Sequence, residues 1–449
     1  MKFQKICVLG LGYIGLPTAS TFAANGLQVL GVDVNHRILE TLRNGGLHIH
    51  EPGLREVVEA ALQSGRLTVS AQPAEADAFL IAVPTPFYEN ETGEYDGMTF
   101  KKADMRAVVS ATEAILPFLR KGSLVVLEST SPPRTTVDLV GPILERSGLK
   151  AGTDFHLVYS PERVLPGQIM KELIENDRVI GGITPESARA GRDLYALFVK
   201  GDIIETDATT AEMVKLMENT YRDINIAIAN EFSRLAERFG VDVWEAIRLA
   251  NRHPRVKILS PGTGVGGHCI SVDPWFFVER APDLSGLIYT ARRLNDDQPR
   301  FALELVRKAL GSLKGKRIAA LGLAFKPDVD DLRESPAAEV AHLLQKEGAT
   351  VTCYEPFKPD AEMPGLPLAP SLGSALDGAD AIVLLVGHSQ FRALNPAQVA
   401  ELTPARLVVD MVNGWDASAW QRAGFKFARL GSNKPPVENR QSSIADRKS

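Results

Sequence analysis

The chain has 449 residues, of which 45% are hydrophobic and 23% are charged, so it is too long for a single core and about three domains are expected. Its formal net charge of -5 gives no reason to expect a nucleic acid or an anionic membrane as a partner. The three cysteines are too widely spaced for a disulfide framework or a cysteine-rich metal site, and no apolar run is long enough for a membrane span or a signal peptide, so a cytoplasmic protein is expected.

The first predicted strand leads directly into a glycine-rich turn. Strand 5–9 is followed by Gly10-Leu11-Gly12-Tyr13-Ile14-Gly15, a helix to about Ala24 and a second strand that ends at Asp33. In this context the pattern G-x-G-x-x-G lets a pyrophosphate approach the N-terminus of the helix. The carboxylate of Asp33 would bind a ribose 2′-hydroxyl and repel a 2′-phosphate, so NAD is predicted rather than NADP. Cys7, inside the first strand, is expected in the core.

Two further predicted strands end in polar turns. Strand 78–83 precedes a turn that carries Thr85, and strand 124–127 precedes Glu128-Ser129-Thr130. Ligands of doubly wound sheets bind at the carboxyl ends of strands, so these residues are candidate ligand contacts, with ordinary turn chemistry as the alternative. The polar segment 87–97 is predicted to be a surface loop over the site.

The next predicted strand ends in an acid and a guanidinium side by side. Strand 157–160 is followed by Glu162 and Arg163, and strands 178–182 and 202–205 complete the sheet. The planar fork of Arg163 suits a phosphate or another planar acceptor. A structural ion pair is the alternative.

A long helix is predicted from a capping box, Thr209-Thr210-Ala211-Glu212, to about Phe239, where Gly240 closes it. The segment Ile224–Asn230 is apolar nearly all round, which predicts burial on several sides. Such a helix is a candidate for a spine between domains and for a subunit interface.

Lys215 and Asn219 share one face of this helix, because they are four residues apart. Both side chains are donors, and they lie among apolar residues. They are candidates for binding an oxyanion, and a lysine that extends its ammonium group to solvent is the commoner alternative.

A cationic cluster precedes a loop that has four glycines in six residues. Arg252, His253 and Arg255 suggest an anionic substrate, and the loop Gly262–Asp273 then carries Cys269. Glycine lets a ligand approach the backbone, and exposed amide N–H groups favour a thiolate. Cys269 is therefore a candidate nucleophile, with a small buried thiol as the alternative.

The last predicted domain is a second α/β unit. Its strands are predicted at 316–321, 350–354, 381–386 and 407–410, and Ser335-Pro336 is a predicted helix start. It lacks a full second G-x-G-x-x-G and the acid that would accompany it. Lys326 and Arg333 could bind a nucleotide differently, or could pair with neighbouring aspartates. Cys353 is expected in the core, and the chain beyond Leu430 is expected to be loose.

The ordered motifs of the chain resemble those of the UDP-glucose/GDP-mannose dehydrogenase family of UDP-sugar 6-dehydrogenases. The resemblance covers nearly everything from Lys5 to about Leu430. It depends on GLGYIGLP, VPTP, EST, YSPERVLPG, EMVKLMENTYRD, GVGGHCISVDPWF and FKPDVDDLRESP. The stretches around Arg163 and Cys269 are similar to those of the branch that acts on UDP-N-acetyl-D-mannosamine.

This resemblance implies oxidation of a sugar C6 alcohol to a carboxylate with two NAD⁺ in turn. Cys269 would form a thiohemiacetal and then a thioester, and Lys215 and Asn219 would stabilise the oxyanion. Asp273 and Glu162 are the implied base or water-positioning groups in thioester hydrolysis, and Thr130 would help to hold the water or the substrate hydroxyl. No metal is implied.

The resemblance also assigns binding residues and domains. For the cofactor it implies Gly10, Gly12, Tyr13, Ile14, Gly15, Asp33, Arg37, Thr85, Thr130 and Arg333. For the UDP-sugar it implies Glu162, Arg163, Lys215, Asn219, Arg222, His253, Arg255, Gly266, Phe325 and Lys326, with Arg255 reaching the substrate from its own or a neighbouring subunit. The expected fold is two Rossmann-like doubly wound α/β domains joined by a long central helix. The expected division is 1–205 for NAD, 206–312 for the central helical, dimer-forming domain with the cysteine loop, 313–430 for UDP-sugar, and a polar tail at 431–449.

Three alternatives stay open at this point. The same chemistry could act on UDP-GlcNAc or UDP-glucose. A β-hydroxyacid dehydrogenase of similar architecture would use Lys215 and stop after one oxidation. A nucleotide-binding protein without activity would leave the thiol, the lysine and the NAD pattern without a use.

Overall fold

The computed structural model describes residues 2–267 and 269–432. These residues form two compact units. The first comprises the described residues up to Thr220 together with Val272–Gly286, and the second comprises Tyr221–Ser271 and the residues from Leu287 onward. Each unit contains its own sheet, and one 32-residue helix contributes to both. The predicted α/β class, with two Rossmann-like sheets and a long central helix, is confirmed.

The first unit is built on a sheet of eight strands within the described chain, in the spatial order β10-β9-β8-β7-β4-β1-β2-β3. Neighbouring strands are parallel except for β8 and β9. The strands of this unit are β1 (Lys5–Leu9), β2 (Gln28–Val32), β3 (Leu67–Ser70), β4 (Ala78–Ile81), β5 (Phe87–Tyr95), β6 (Met98–Ala103), β7 (Leu124–Leu127), β8 (His156–Tyr159), β9 (Arg178–Gly182) and β10 (Ile203–Asp207).

The helices of both units cover the sheet faces and connect the strands. In chain order they are α1 (Gly15–Ala24), α2 (His36–Arg43), α3 (Leu54–Gln63), α4 (Arg106–Ile115), α5 (Gly141–Glu145), α6 (Ile169–Glu175), α7 (Pro185–Tyr195), α8 (Ala208–Phe239), α9 (Val243–Ala250), α10 (Asp273–Arg280), α11 (Gly286–Leu310), α12 (Pro336–Lys346), α13 (Leu372–Leu376), α14 (Ser389–Arg392), α15 (Pro396–Leu402) and α16 (Ala417–Arg422). A 3₁₀ turn lies at Leu116–Phe118 and a π-helical turn at Thr136–Val140. Among these helices none is long and apolar enough to cross a membrane.

Both faces of the first sheet are buried. Ile6 and Val8 of β1 belong to one hydrophobic cluster, whereas Cys7 and Leu9 belong to another. Alternate residues of a strand point to opposite faces, so the two clusters are the two covered faces that a parallel sheet requires. The prediction that Cys7 is a core residue is confirmed, since it is fully buried.

The predicted surface loop at 87–97 is wrong, because this segment forms most of a β-hairpin. β5 pairs antiparallel with β6, and Asp96 and Gly97 form the turn with φ values of 44° and 78°. Asp-Gly favours the two-residue turn that joins twisted antiparallel strands, since both positions need positive φ. The hairpin packs through Phe87 against Phe276 of α10.

The predicted capping box of the long helix is also wrong. α8 begins one residue before Thr209, and Asp207 caps it by accepting hydrogen bonds from the backbone N and the Oγ1 of Thr210 at 2.9 and 2.5 Å. The carboxylate of Glu212 is instead buried against the turn after β7, where it accepts from Arg134 N, Thr136 N and Thr136 Oγ1. Asp207 is therefore the N-cap residue of α8, because it directly precedes the first turn, whereas Thr209 lies inside that turn.

α8 exposes an apolar stripe, although the segment Ile224–Asn230 is buried or half-buried except at Ile228, as predicted. Ile228 is 41% exposed, while Ala227, Ala229 and Asn230 are buried. The members of the stripe are three or four residues apart, with one gap of seven, and this spacing keeps them on one face of the helix. Its exposed members are Met213, Met217, Tyr221, Ile228, Phe232, Leu235 and Phe239.

The second unit contains a five-stranded parallel sheet within the described chain, in the order β12-β11-β13-β14-β15. Its strands are β11 (Arg317–Leu321), β12 (Thr350–Tyr354), β13 (Ala381–Leu384), β14 (Leu407–Asp410) and β15 (Lys426–Arg429). Two hydrophobic clusters again divide alternate residues of its first strand. Ser335 caps α12 by accepting a hydrogen bond from Ala338 N, and Pro336 begins that helix, as predicted. Of the predicted tail at 431–449, only Gly431 and Ser432 are described, and both make backbone contacts: Gly431 O accepts from Val243 N at 2.8 Å, and Ser432 forms a bridge with Asp242.

Candidate active site

The glycine turn of the first unit has the geometry of a dinucleotide site. Gly10 has φ of 95°, and its N–H donates to Val32 O at 2.8 Å. Leu11 N donates to Asp33 Oδ2 at 2.9 Å, and Asn35 N donates to Asp33 Oδ1 at 2.8 Å. Each carboxylate oxygen keeps a second lone pair that a ribose hydroxyl could use.

The start of α1 fits a pyrophosphate. Its N-cap residue, Ile14, makes no side-chain hydrogen bond to the first turn, so no side-chain cap occupies the N–H groups that an anion would accept. A Cβ added to Gly12 would meet nothing within 4 Å, which leaves open space over the turn. Tyr13 is half-buried in the same turn, and Arg37 lies in the first turn of α2, where its N–H donates to Asn35 Oδ1. These residues suit NAD.

Gly10 and Gly12 make a matched pair of substitutions. A Cβ on Gly10 would lie 2.4 Å from Ala82 O, at a φ that an alanine rarely adopts. We expect Gly10→Ala to lower the free energy of unfolding by at least about 2 kcal/mol. Gly12→Ala should keep the fold and raise the KM for NAD⁺, because its methyl group enters the open space. Thermal unfolding and NAD⁺ titration would check both, and equal unfolding temperatures for the two variants would contradict this assignment.

The turns after β4 and β7 meet, as their adjacent strands predict. Thr85 Oγ1 donates to Thr130 O at 2.7 Å. Ser129 Oγ donates to Val83 O at the same distance, which ties the two turns together. Thr85 and Thr130 therefore lie side by side at the carboxyl edge of the sheet.

Lys215, Asn219 and Asp273 form a buried polar group in the first unit. Lys215 and Asn219 are each 8% exposed and Asp273 is 1% exposed. Asn219 Nδ2 donates to Asp273 Oδ2 at 2.6 Å. The two α8 residues share one face, as predicted, and Asp273 meets them as the first residue of α10.

Burial raises the pKa of Asp273 to about 6, and the charge of Lys215 and the hydrogen bond from Asn219 oppose that rise. A carboxyl group that titrates near 6 can accept a proton at neutral pH and give it back without a large cost. The side-chain oxygen of Tyr159, at the end of β8, is buried nearby and feels the charge of Asp273.

Glu162 and Arg163 lie at the same edge of the sheet but point to different partners. Glu162 Oε2 accepts from Arg178 Nη2 at 2.5 Å, and its Oε1 accepts from Arg163 N at 2.8 Å. The guanidinium of Arg163 donates to Glu218 Oε1 at 2.8 Å and to the carbonyl of Asp177. In this structure Arg163 is therefore engaged in the ion pair that the sequence left as its alternative.

The cysteine loop of the second unit packs tightly on the turn before α12. A Cβ on Gly266 would lie 2.4 Å from Glu334 O, and one on Gly267 would lie 2.8 Å from the ring of Phe325. Gly267 N donates to Arg333 O at 3.2 Å. The glycines thus allow two backbone segments to meet, and they bring Gly266 beside Phe325, both of which were predicted to bind substrate.

Cys269 differs in environment from the other cysteines. It is half-buried in this loop, whereas Cys7 and Cys353 are fully buried in strands. Burial raises the pKa of the Cys7 thiol to about 11 and that of Cys353 to about 12. Thiols with such values are poor nucleophiles at neutral pH, so Cys269 is the best placed of the three to react.

Buried polar side chains hold the start of the loop. Gly262 N donates to Asn230 Oδ1 at 3.0 Å, and Gln298 Nε2 donates to Gly262 O at 3.1 Å. Asn230 also donates to Asn295 Oδ1 at 2.9 Å. The helices α8 and α11 thereby fix the entry of the loop within the second unit.

The predicted cations of the second unit lie in exposed or half-buried positions. Arg333 pairs with Asp331 at 2.7 Å, and the ammonium group of Lys326 lies 5.6 Å from the centre of the Phe325 ring. Arg222, His253 and Arg255 are exposed, and Arg255 N donates to His253 Nδ1 at 3.3 Å.

The expectation that the second sheet lacks the acid after its second strand is wrong. Glu355 follows β12 directly, and its Oε2 accepts from Leu323 N and Ala324 N at 2.8 and 2.9 Å. This repeats the bond from Leu11 N to Asp33. Unlike Asp33, Glu355 is 1% exposed and also accepts from His388 Nε2 at 3.1 Å. Burial opposes the ionised form, but His388 and the backbone N–H groups lower the pKa of Glu355 overall.

Sequence reasoning missed two buried residues near Glu162. They are Arg178, the first residue of β9, and Tyr195, the last residue of α7. Glu128, a candidate ligand contact from the sequence, is buried beside them. The one local sequence signal for Arg178 is its position directly before the apolar pair Val179-Ile180. This position does not indicate which residues the arginine contacts.

Comparison with known proteins assigns all three parts of the chain to one family. The UDP-glucose/GDP-mannose dehydrogenase family matches through its NAD binding domain at residues 4–199, its central domain at 209–297 and its UDP binding domain at 319–417. A UDP-N-acetyl-D-mannosamine dehydrogenase of Methanococcus maripaludis strain C7 is 46% identical over 434 residues, which cover 96% of this chain and 97% of that one.

Two further proteins are similar over nearly the full length. An NDP-N-acetyl-D-galactosaminuronic acid dehydrogenase of Ralstonia nicotianae is 47% identical over 427 residues, which cover 93% of this chain and 97% of that one. The solved structure of a UDP-D-ManNAc dehydrogenase from Pyrococcus horikoshii is 39% identical, with a TM-score of 0.87, and covers 96% of this chain and 100% of that one. The chain therefore belongs to the UDP-glucose/GDP-mannose dehydrogenase family and is an NAD-dependent oxidoreductase.

Proposed function

We propose that the chain oxidises the C6 alcohol of UDP-N-acetyl-D-mannosamine to the carboxylate, through a covalent adduct on Cys269. The observation that carries this proposal is the buried group of Lys215, Asn219 and Asp273, because Asp273 follows the half-buried Cys269 by four residues. Four residues span at most roughly 14 Å, so the chain itself limits how far Cys269 can be from Asp273.

NAD⁺, when bound, supplies the hydride acceptor for both oxidations. Gly10, Gly12 and Gly15 would give its pyrophosphate access to the start of α1, and Asp33 would hold the ribose. Thr85, Thr130 and Arg333 are proposed as further cofactor contacts, together with Tyr13, Ile14 and Arg37.

Cys269 would act on the aldehyde from the first oxidation. Its thiolate adds to the carbonyl carbon, a C–S bond forms, and the electron pair of the C=O bond moves to oxygen. Lys215 Nζ and Asn219 Nδ2 would stabilise that oxyanion, since preorganised donors in a buried site need no reorientation as charge develops. The second oxidation leaves a thioester, and Glu162 or Asp273 would take the proton of the water that hydrolyses it.

We propose the UDP-sugar contacts that the sequence predicts. Arg163, Arg222 and Arg255 offer positive charge, and His253 offers a polar contact. Gly266 of the cysteine loop lies beside Phe325, whose ring is 5.6 Å from the ammonium group of Lys326. We propose the domain division 1–205, 206–312 and 313–430, with a polar tail at 431–449. The three family matches, at 4–199, 209–297 and 319–417, support its order.

UDP-GalNAc is a second candidate substrate, because of the name of one similar protein. The relative from Ralstonia nicotianae, at 47% identity, is named for an N-acetyl-D-galactosaminuronic acid nucleotide. The N-acetyl group is common to both names, and the configuration of the sugar ring differs.

A substrate panel tests the proposal. UDP-ManNAc, UDP-GlcNAc, UDP-GalNAc and UDP-glucose would each be incubated with excess NAD⁺, and NADH and the sugar product would be quantified. We expect UDP-ManNAc to give the highest kcat/KM and two NADH per sugar. Oxidation of another sugar without UDP-ManNAc would overturn the substrate, and one NADH per sugar would overturn the two-step reaction.

We further propose a homodimer through the apolar stripe of α8. Seven exposed apolar side chains on one helix face are more than a single surface helix needs, and a second copy of the chain can bury them symmetrically.

The stripe predicts a dimer that one substitution can break. Leu235→Asp places a charge within the stripe, where its burial in an interface would be costly, and we expect a monomer in analytical ultracentrifugation. Leu402→Asp is the matched control, because Leu402 on α15 is 50% exposed and Leu235 is 43% exposed. Dissociation by both variants, or by neither, would contradict the interface.

A further inference from the structure

The reversal of β9 brings a buried arginine to the carboxyl edge of the first sheet. Val158 pairs with Gly182 and Tyr159 with Gly181, so the two strands run antiparallel. The same register continued beyond the paired residues places Arg178, the first residue of β9, opposite Glu162, which lies beyond the last residue of β8. If β9 were parallel to β8, Arg178 would lie at the opposite edge of the sheet from Glu162.

Arg178 is shared between two carboxylates. Its Nη2 donates to Glu162 Oε2 at 2.5 Å, and its Nη1 donates to Ser160 Oγ at 3.0 Å and lies 3.8 Å from Glu128 Oε1. The guanidinium carbon also lies 4.3 Å from the centre of the Tyr195 ring. Tyr195 completes the group by donating its O–H to Glu128 Oε1 at 2.5 Å.

The group has one positive charge for two acids, and it is buried. The side chains of Arg178, Glu128 and Glu162 are 4%, 0% and 8% exposed. Burial alone would lower the pKa of Arg178, but Glu162, Tyr195 and Glu128 raise it, so the arginine stays charged. Two buried carboxylates compete for it, and the loss of one negative charge by protonation relieves the competition.

Glu128 is the acid that can take the proton. Burial raises its pKa to about 7, against the opposing effects of Arg178 and of the hydrogen bond from Tyr195, while the charge of Glu162 raises it further. The charged and titratable groups that face it are Arg178 from β9, Tyr195 from α7 and Glu162 beyond β8. Its Oε2 has no hydrogen-bond partner within the described chain, and a proton there would cost no existing bond.

We propose that Arg178 is the positioning residue of Glu162 in thioester hydrolysis, and that Glu128, by gaining or losing a proton, decides whether Arg178 serves Glu162 alone or both acids. This inference rests on the proposed function, because it assumes that Glu162 acts on a Cys269 thioester. In that step the water oxygen bonds to the thioester carbon and the C–S bond breaks. The electron pair leaves on the sulfur of Cys269, and the proton of the water passes to Glu162.

Acid-quenched mass spectrometry during turnover would detect the accumulating acyl-enzyme. Arg178→Lys keeps the charge but loses the planar fork that reaches Glu162 and Ser160 together. We expect kcat to fall by up to about 10²-fold, with the fraction of Cys269 that carries the uronyl group rising towards completion. Arg192→Lys is the matched control, since Arg192 on α7 makes exposed ion pairs with Asp193 and Glu205, and it should leave kcat and the acyl fraction unchanged.

This readout separates the inference from the function on which it rests. Glu162→Gln should also accumulate the acyl-enzyme. If Glu162→Gln accumulates it and Arg178→Lys loses activity without accumulating it, the positioning role is wrong and Arg178 is merely structural. If no variant and no time point shows an adduct on Cys269, the proposed covalent function is wrong.

A second experiment uses Glu128→Gln, which is isosteric and leaves Arg178 unchanged. The glutamine side chain keeps an oxygen that can accept from Tyr195, but it cannot ionise. The ratio of its acyl-enzyme decay rate to that of the wild type should rise as pH increases through 7, because ionised Glu128 draws Arg178 from Glu162 only in the wild type. In Tyr195→Phe the pH at which the acyl-enzyme decay rate changes should be higher than in the wild type. The reason is that the hydrogen bond from Tyr195, which favours ionised Glu128, is lost. A ratio that is flat from pH 6 to 8.5 would overturn the part assigned to Glu128.

Discussion

Replacement of Cys269 by serine should end the second oxidation. A serine hydroxyl is far less ionised than a thiol at neutral pH, so it cannot hold the aldehyde as an activated ester. We expect the turnover number for net acid formation to fall by at least about 10³-fold, in line with the loss of other covalent nucleophiles. Product analysis with NADH counting would show at most one NADH per UDP-ManNAc, compared with two for the wild type.

Cys353→Ala provides the control for this result. Cys353 is fully buried in β12, and its loss should lower stability modestly without changing the two-to-one stoichiometry. Two NADH per sugar from Cys269→Ser would remove the covalent step from the mechanism. One NADH per sugar from the wild type itself would be a different outcome, and it would favour the single-oxidation enzyme that uses Lys215.

Replacement of Lys215 by methionine should have the second largest effect. Methionine preserves the unbranched shape and removes the ammonium group, so the oxyanion loses a preorganised donor. We expect kcat to fall by about 10²- to 10³-fold. The pKa of Asp273, now raised to about 6 by burial against the opposing charge of Lys215, should rise further. The acidic limb of the pH profile of kcat/KM should then move to higher pH, because Asp273 must be ionised to accept a proton.

Lys171→Met is the matched control for Lys215→Met. Lys171 is exposed on α6, 3.7 Å from Glu175, and exposed ion pairs of this kind contribute little. The kinetics of this variant should equal those of the wild type. An unchanged kcat for Lys215→Met would assign Lys215 to packing alone. A lower kcat with an unmoved acidic limb would mean that Lys215 does not influence the ionisation of Asp273.

The predictable parts of this molecule are those with short-range signals. The glycine turn and Asp33 could be placed from sequence, because a turn needs glycine at fixed offsets and the acid follows one strand and one helix later. Lys215 and Asn219 could be placed on one face because the helical period determines it. The hairpin at Asp96-Gly97 also has a local signal, because Asp-Gly favours a two-residue turn, but the polar composition of 87–97 is typical of a loop.

The missed parts depend on long-range topology. Arg178 reaches Glu162 because β9 is antiparallel to β8, and no local pattern states the direction of that pairing. Glu212 left its expected capping position because the turn at Thr136 offered three donors in a buried setting. Such outcomes are decided by which buried polar groups find partners across the fold.

The paired acids Asp33 and Glu355 separate two uses of one architecture. Each follows a second strand and accepts an N–H from the residue after the first glycine of its turn. Each carboxylate oxygen of Asp33 can accept a further hydrogen bond from a ligand. Glu355 is buried, and its oxygens accept hydrogen bonds from backbone amides and from His388. A change of dinucleotide preference should therefore be sought by substitution of Asp33. Substitution of Glu355 would remove hydrogen bonds that stabilise the turns of the second sheet, and it would not create a second cofactor site.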